Sequence, residues 1–153
     1  MASKREFLHR KIKREREMEI VINYLKKYDQ VNNSNILEFG CGDGFQIPFL
    51  KMISNNVQAI DVFLDESIKN RYLDIVSEQS IDKTLFKNNQ FDLVFSNHVI
   101  EHLEDLQGAV KEMQRIGSDE CIYAFSVPTN IWLILSVPAQ YFRKIKHLIH
   151  NLF

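Results

Sequence analysis

The sequence predicts an α/β fold, a three-layer sandwich on a mostly parallel sheet of five strands. Three observations predict it. Short apolar runs alternate with stretches of helical spacing, the first run stops at a glycine-rich loop, and an aspartate closes the second. From Lys4 to Tyr28 the chain is charged and free of Gly and Pro. Met18, Val21, Ile22, Leu25 and Tyr28 recur there every three or four residues, the spacing of a helix with one buried face. Asn32-Asn33-Ser34-Asn35 is a polar turn, and Ile36-Leu37-Glu38-Phe39 after it reads as the first strand. Phe45 to Ile53 has helical spacing, with Pro48 in the first turn, where its missing N–H leaves no bond unmade. Val57 to Val62 reads as the second strand and Tyr72 to Val76 as a weaker third. Asn88-Asn89-Gln90 turns the chain into the fourth, Phe91 to Phe95. Leu103 to Ile116 reads as a helix with Leu106, Val110 and Met113 on one face and Gly117 as its cap. Cys121 to Val127, ended by Pro128, is the fifth strand. This alternation implies parallel βαβ units with right-handed crossovers.

A chain of 153 residues, 45% of them hydrophobic, supports one core and one compact domain. A formal charge of -1 argues against nucleic acid as a partner and against an acidic disordered chain. The charge is unevenly spread. Lys4, Arg5, Arg10, Lys11, Lys13, Arg14 and Arg16 outweigh Glu6 and Glu15, and Arg143, Lys144 and Lys146 close a C-terminal stretch with no acid, so two basic ends flank an acidic body. Cys41 and Cys121 stand far apart with no metal-spaced neighbours, so neither a disulfide framework nor a zinc site is expected. The basic N-terminus lacks the apolar segment of a secretory signal. Ile122 to Ala139 is apolar but broken by Pro128, Thr129, Asn130 and Pro138, a poor membrane span. A cytoplasmic protein is expected.

The chemistry concentrates after the first strand. Glycines tolerate positive φ and let a ligand approach the backbone, and Gly40, Gly42 and Gly44 supply this in Glu38-Phe39-Gly40-Cys41-Gly42-Asp43-Gly44. The spacing departs from the GxGxxG that seats a pyrophosphate, which disfavours a nicotinamide dehydrogenase. Asp61, at the end of the second strand, is placed to accept both hydroxyls of a ribose.

In these residues the sequence resembles the class I, Rossmann-like S-adenosylmethionine-dependent methyltransferases. The resemblance runs from Ile36 to Thr129, through the loop Ile36 to Gly44, Ala59-Ile60-Asp61, Phe91 to His102 and Phe125-Ser126-Val127-Pro128-Thr129. It implies strand order 3-2-1-4-5 and S-adenosylmethionine as cofactor, with S-adenosylhomocysteine as product. It also implies that Glu38 and the loop residues Gly40, Cys41, Gly42 and Gly44 hold the methionine portion and Asp61 the ribose. Ser80, Ile81 and Asp82 would meet the adenine, and Asn97 would lie beside the methyl group. Ser80 stands where the family often has an adenine-binding aspartate, so the contact can pass to Asp82 or to the backbone. Gly117-Ser118-Asp119-Glu120 replaces the usual Lys-Pro-Gly-Gly turn. Only 26 residues follow Val127, much of that stretch has helical spacing, and the resemblance implies that the last two strands of such sheets are missing.

His98-Val99-Ile100-Glu101-His102 matches the H-x-x-E-H of zinc proteases, but that motif belongs inside a helix and here follows the fourth strand directly. His98 and His102 are instead candidate general bases toward an acceptor, and no metal is expected. A base is dispensable where positioning and desolvation suffice, since a sulfonium gives up its methyl downhill. The sequence thus divides into a basic helix (1–30), a cofactor-binding core (31–130) and a basic amphipathic tail (131–153). The tail has three candidate uses: covering the sheet edge, packing on a second subunit, or resting on an anionic membrane as a peripheral contact. The expected activity is methyl transfer to a small-molecule or glycolipid-like, lipid-linked acceptor. The alternative is a catalytically incomplete methyltransferase-like subunit that acts through a partner protein, and the candidate protein partners are a second copy of the chain, as a homo-oligomer, or a partner subunit.

Overall fold

The computed structural model describes residues 4–127 and the backbone of 134–138. Its sheet has the order β3-β2-β1-β4-β5-β6, from strands β1 (Ile36–Phe39), β2 (Val57–Asp61), β3 (Val76–Glu78), β4 (Phe91–Asn97), β5 (Gly117–Ser126) and β6 (Ile134–Pro138). The first five are parallel in the predicted 3-2-1-4-5 order. β6 runs antiparallel to β5, from Ser126 opposite Ile134 to Ile122 opposite Pro138. This sixth strand corrects the reading of that stretch as helical. Short apolar runs fit either period, and the open edge of β5 offered the unpaired backbone groups that decide for a strand.

Helices α1 (Lys4–Leu25), α2 (Ile47–Leu50), α3 (Glu66–Arg71) and α4 (Leu106–Ile116) cover the two faces. Met18, Val21, Ile22 and Leu25 of α1 pack on Ile36, Leu93, Phe95, Ile122 and Ala124. Ala109, Met113 and Ile116 of α4 pack on the opposite face with Leu37, Phe39, Val94 and Tyr123. Alternation along β1 is thus complete: Ile36 serves one layer, Leu37 and Phe39 the other, and Glu38 points to the α1 side. Because β1 is central and parallel, all four of its residues are buried, as two-sided helical cover demands.

Several boundaries differ from the sequence reading: β4 runs on to Asn97 and α4 starts at Leu106 rather than Leu103. The third strand starts at Val76, since Tyr72 caps α3 and carries its ring to within 2.7 Å of where a Cβ on Gly44 would stand. The helix expected over 45–53 shrinks to α2, continued by turns. Gly117 to Glu120 belongs to β5 rather than to a loop. The tail 131–153 lies outside the described residues except for β6. Among the described residues no helix is long and apolar enough to cross a membrane.

Leu25, fully buried under α1, tests this packing. Leu25→Ala is expected to cost about 2–5 kcal/mol in urea unfolding; an unchanged midpoint would mean that α1 does not dock on the sheet.

Candidate functional site

The chain departs in opposite directions from β1 and β4, so the carboxyl ends of these neighbours open a crevice between them. A cleft of about 540 Å³ lies there. Gly40, Asp61, Ser80, Ile81, Asp82, His98 and His102 line it, which brings seven of the sequence-predicted site residues into one place. Phe39, Ile60, Val99, Leu103 and Ala109 give it an apolar wall, and Gln79, Glu104 and Asp105 stand at its polar rim. These eight were not singled out from sequence. Their common signal is position, each at or just beyond the carboxyl end of a strand or at the start of α4, and that becomes visible only once strand order is known.

The loop after β1 takes its shape from its glycines, whose φ values are +74 at Gly40, +49 at Gly42 and +69 at Gly44. At Gly40 a Cβ would also collide with the Val99 side chain, so the loop and the segment after β4 touch where any larger residue would push them apart. At Gly42 nothing lies within 4 Å of the missing Cβ. The Gly42 N–H donates to Asp61 Oδ2 at 2.8 Å, and Phe63 N–H donates to Oδ1 at 3.2 Å. Asp61 therefore ties the end of β2 to the loop. Its carboxylate oxygens keep lone pairs for further donors.

Glu38, one residue before the loop, is fully buried, and neither carboxylate oxygen finds a hydrogen-bond partner. Burial pushes its carboxyl up to about 8; the nearby charges of Asp43 and Asp61 add to the rise and Arg14 opposes it. An unpartnered buried acid is costly, and a cationic group arriving beside it would relieve that cost. Arg14 reaches down from α1 to Asp43 with two bonds of 2.8 Å and lies 4.0 Å from the centre of the Phe45 ring. This bidentate pair holds the Asp43 carboxyl below its ordinary range and fastens the loop to α1. Sequence gave no sign of it, because Arg14 sits in a run of basic residues.

Cys41 is buried, and burial, helped by the charges of Glu38 and Asp61, raises its thiol to about 12, which leaves it an inert space-filler. Cys41, Gly42, Gly44, Glu38 and Asn97 do not line the cleft itself. Glu38, by alternation along β1, and Asn97, two residues beyond Phe95 on β4, belong to the α1 side of the switch point. The Ser80 hydroxyl donates to Asp82, and the following segment is anchored where Thr84 N–H and Oγ1 donate to Glu112 of α4 at 2.9 and 2.7 Å. His98 holds a left-handed backbone, φ +58, with its N–H on the Ser126 carbonyl at 2.8 Å. For a residue with a Cβ this conformation is strained, and it persists where surrounding structure fixes it. Glu101 Oε1 stands 3.8 Å from His98 Nδ1 and 3.9 Å from His102 Nε2. These histidines leave β4 through a 3-10 turn (Ile100–His102) rather than a long helix, so they cannot share one helical face as the zinc-protease motif requires.

The family model described as a methyltransferase domain matches residues 37–125, more than half of the chain and every residue that lines the cleft. The chain belongs to the methyltransferase domain family. The cofactor of this family is S-adenosylmethionine. Similar proteins include an uncharacterized protein of Methanocaldococcus jannaschii, 27% identical over 143 residues, which cover 90% of this chain and 55% of that one. A ubiquinone biosynthesis O-methyltransferase of Rickettsia bellii is 32% identical over 104 residues, 58% of this chain and 41% of the relative. The chain therefore spans about half, or less, of the length of the curated relatives it matches. An S-adenosylmethionine-dependent methyltransferase from Aquifex aeolicus has the same fold, with a TM-score of 0.57 at 19% identity over 77% of this chain and 69% of that one.

The Glu38 carboxyl titrates near 4.5 when solvated and near 8 in the folded, ligand-free protein. Folding therefore favours its protonated form. The associated stability is fully present below about pH 4.5 and is lost as pH rises toward 8, at up to about 1.4 kcal/mol per unit. Denaturant unfolding between pH 5 and 8 is expected to show this fall in the wild type and a flatter profile in Glu38→Gln. Parallel profiles would contradict the burial of an ionisable Glu38.

Proposed function

We propose that the chain binds S-adenosylmethionine in the cleft at the switch point and transfers its methyl group to a small-molecule or glycolipid-like acceptor. The observation that carries this reading is that the carboxyl end of β1 bears three groups of complementary chemistry: the Gly40 to Gly44 loop with Gly40 at the cleft, the Asp61 carboxylate that the loop engages from the end of β2, and the unpartnered Glu38 buried on the α1 side. Each suits a different part of the cofactor. Asp61 would accept the ribose hydroxyls with the lone pairs that Gly42 and Phe63 leave, and the apolar wall of Phe39, Ile81 and Ala109 suits the face of adenine, with Ser80 and Asp82 at its edge. Glu38 would meet the ammonium of the methionine portion. Below pH 8 that encounter would release a proton, because a cation beside Glu38 restores its ionised form.

When bound, S-adenosylmethionine supplies a sulfonium-activated methyl that a nucleophile takes in one displacement, the neutral thioether leaving. The protein's part is then positioning and exclusion of water. Asn97, next to His98 at the end of β4, would orient the reacting centre. His98, fixed by the Ser126 carbonyl and near Glu101, is better held than the mostly exposed His102 to accept an acceptor's proton. The Rickettsia relative, named for an O-methyl transfer, supports a hydroxyl as the acceptor group.

Calorimetry with S-adenosylmethionine and S-adenosylhomocysteine tests the reading. Both are expected to bind well below millimolar concentration, and Asp61→Ala is expected to weaken them by about tenfold or more, the loss of charge-assisted bonds. A folded protein that takes up neither compound would overturn the reading, and an unchanged affinity in Asp61→Ala would overturn the ribose assignment.

A further inference from the structure

The segment from Gln79 to Gln90 carries the chain from β3 to β4 and presents Ser80, Ile81 and Asp82 to the cleft. Its entry is weakly held, because β3 is a partly exposed edge strand of 3 residues paired with β2 alone. The Gln79 N–H donates to the Asp61 carbonyl at 3.0 Å, and at the far end the Asn89 and Gln90 N–H groups donate to the carbonyls of Arg115 and Ile116 at 3.0 and 2.6 Å. Between these points, among the described residues, every hydrogen bond that ties residues 80–88 to another element ends on Glu112 or Arg115 of α4. Ile81 and Phe86 also pack into the core on the α4 side, but apolar burial is non-directional and sets depth rather than aim. One pair of side chains outside the cleft therefore directs this part of its wall.

Glu112 Oε1 accepts the Thr84 N–H at 2.9 Å and the Thr84 hydroxyl at 2.7 Å, across 28 residues of sequence. Arg115 grips the same carboxylate, with Nε on Oε2 at 2.8 Å and Nη2 on Oε1 at 2.6 Å, while its Nη1 reaches Asn88 Oδ1 at 2.7 Å. The guanidinium fork thus joins Glu112 to the exit of the loop. Arg115 pulls the Glu112 carboxyl down to about 2, so its bonds are charge-assisted at any ordinary pH. The Glu112 side chain is 12% exposed, and water competes little for these bonds. A Glu and Arg three apart on a helix contribute only a few tenths of a kcal/mol by themselves; the bonds to Thr84 and Asn88 give this pair a reach beyond its own helix.

Short paths connect the pair with the cleft on both sides. Ala109, which lines the cleft, lies three residues before Glu112 on α4 and so on the same helix face. Thr84 follows Asp82 by two residues, and the Leu85 N–H donates to Gln79 Oε1 at 2.7 Å, which draws together the two ends of the stretch that holds Ser80 to Asp82. Fixing Thr84 on Glu112 therefore fixes how far Ser80 to Asp82 stand from the Ala109 wall. Asp82 accepts the Ser80 hydroxyl and keeps lone pairs for a further donor.

We propose that Glu112 is a positioning residue for the base of the cofactor: without touching the base, it holds Asp82 where an adenine amine can donate to it and a carbonyl in the same place is rejected. A carboxylate only accepts, so the 6-oxygen of hypoxanthine would meet it lone pair to lone pair. An Asp82 free to swing could follow the neighbouring N1–H of hypoxanthine instead, and the discrimination would be lost. Selectivity here depends on an acceptor that cannot move, and Glu112 supplies that condition. This inference rests on the reading that the cleft takes S-adenosylmethionine with its adenine toward Asp82.

Two measurements on the full chain test it. Calorimetry compares S-adenosylhomocysteine with S-inosylhomocysteine, its 6-oxo analogue, in the wild type, Glu112→Ala and Thr84→Val, and amide hydrogen exchange at Ile81 and Asp82 is followed in the ligand-free proteins. The wild type is expected to prefer the adenine compound by about tenfold or more. Glu112→Ala is expected to bring that ratio toward one and to speed exchange at Ile81 and Asp82 by about tenfold, with Val94 in β4 unaffected. Thr84→Val keeps the Glu112 and Arg115 pair and is expected to lower the ratio by about threefold; the double variant should be no worse than Glu112→Ala, since both changes remove one contact. Should Glu112→Ala fail to fold, Thr84→Val decides alone. Equal weakening of both compounds, a ratio unmoved by Thr84→Val, or a wild type that does not distinguish them would overturn the positioning role while the cofactor reading stands. A folded wild type that binds neither compound would instead fell the cofactor reading, and this role with it.

Discussion

The bond from the Gly42 N–H to Asp61 holds the site together, because it joins the two strand ends between which a ligand must fit. Parallel pairing of β1 with β2, from Ile36 opposite Val57 to Phe39 opposite Ile60, brings those ends level. The loop then needs positive φ at three places to turn back over β2, and only glycines meet that demand without strain. Val99 closes on Gly40 from the other side, so β4 shares in the same constraint. Sheet register, glycine placement and the aspartate form one device, and each part would be idle without the others.

Charge is arranged around that device in a graded way. Glu38 is sealed beneath it with no counter-charge in contact, Asp61 is half-buried and already engaged by two amides, and Asp43 is at the surface, where Arg14 neutralises it. Three acids within one loop region repel one another, and that repulsion adds to burial in raising Glu38. A cationic ligand would be attracted by Asp61 and would favour the ionised form of Glu38. The Arg14 bridge spans 29 residues and is partly exposed, so its own stabilisation is modest, about 1 kcal/mol; its consequence is geometric, since it sets the lie of α1 against the loop.

How legible this was in the sequence depends on the range of the interaction. β1 and its loop were readable because an apolar run ending in spaced glycines is local chemistry, and Asp61 was readable because a strand end carries it. The third strand was misplaced since the Tyr72 to Val76 run is apolar for a different reason, Tyr72 filling the space beside Gly44. β6 was hidden by the ambiguity of a short apolar segment, which the edge of β5 resolves only in three dimensions. Neither the Arg14 bridge nor the isolation of Glu38 leaves a mark on nearby residues. Six of the seven sequence-named residues that line the cleft follow strand ends and Asp61 closes β2, whereas Glu38 and Asn97 come from β1 and β4 and face the α1 side.

The central claim is that the glycine loop and Asp61 are the seat of the cofactor. The most direct measurement is a titration of the isotopically labelled protein with S-adenosylhomocysteine, followed by amide nuclear magnetic resonance. The account expects the signals of Gly40, Gly42, Gly44, Asp61 and Ile81 to shift together and saturate, while that of Lys111 on α4 stays in place. Saturation with those five signals unmoved, or shifts confined to another face of the sheet, would contradict it.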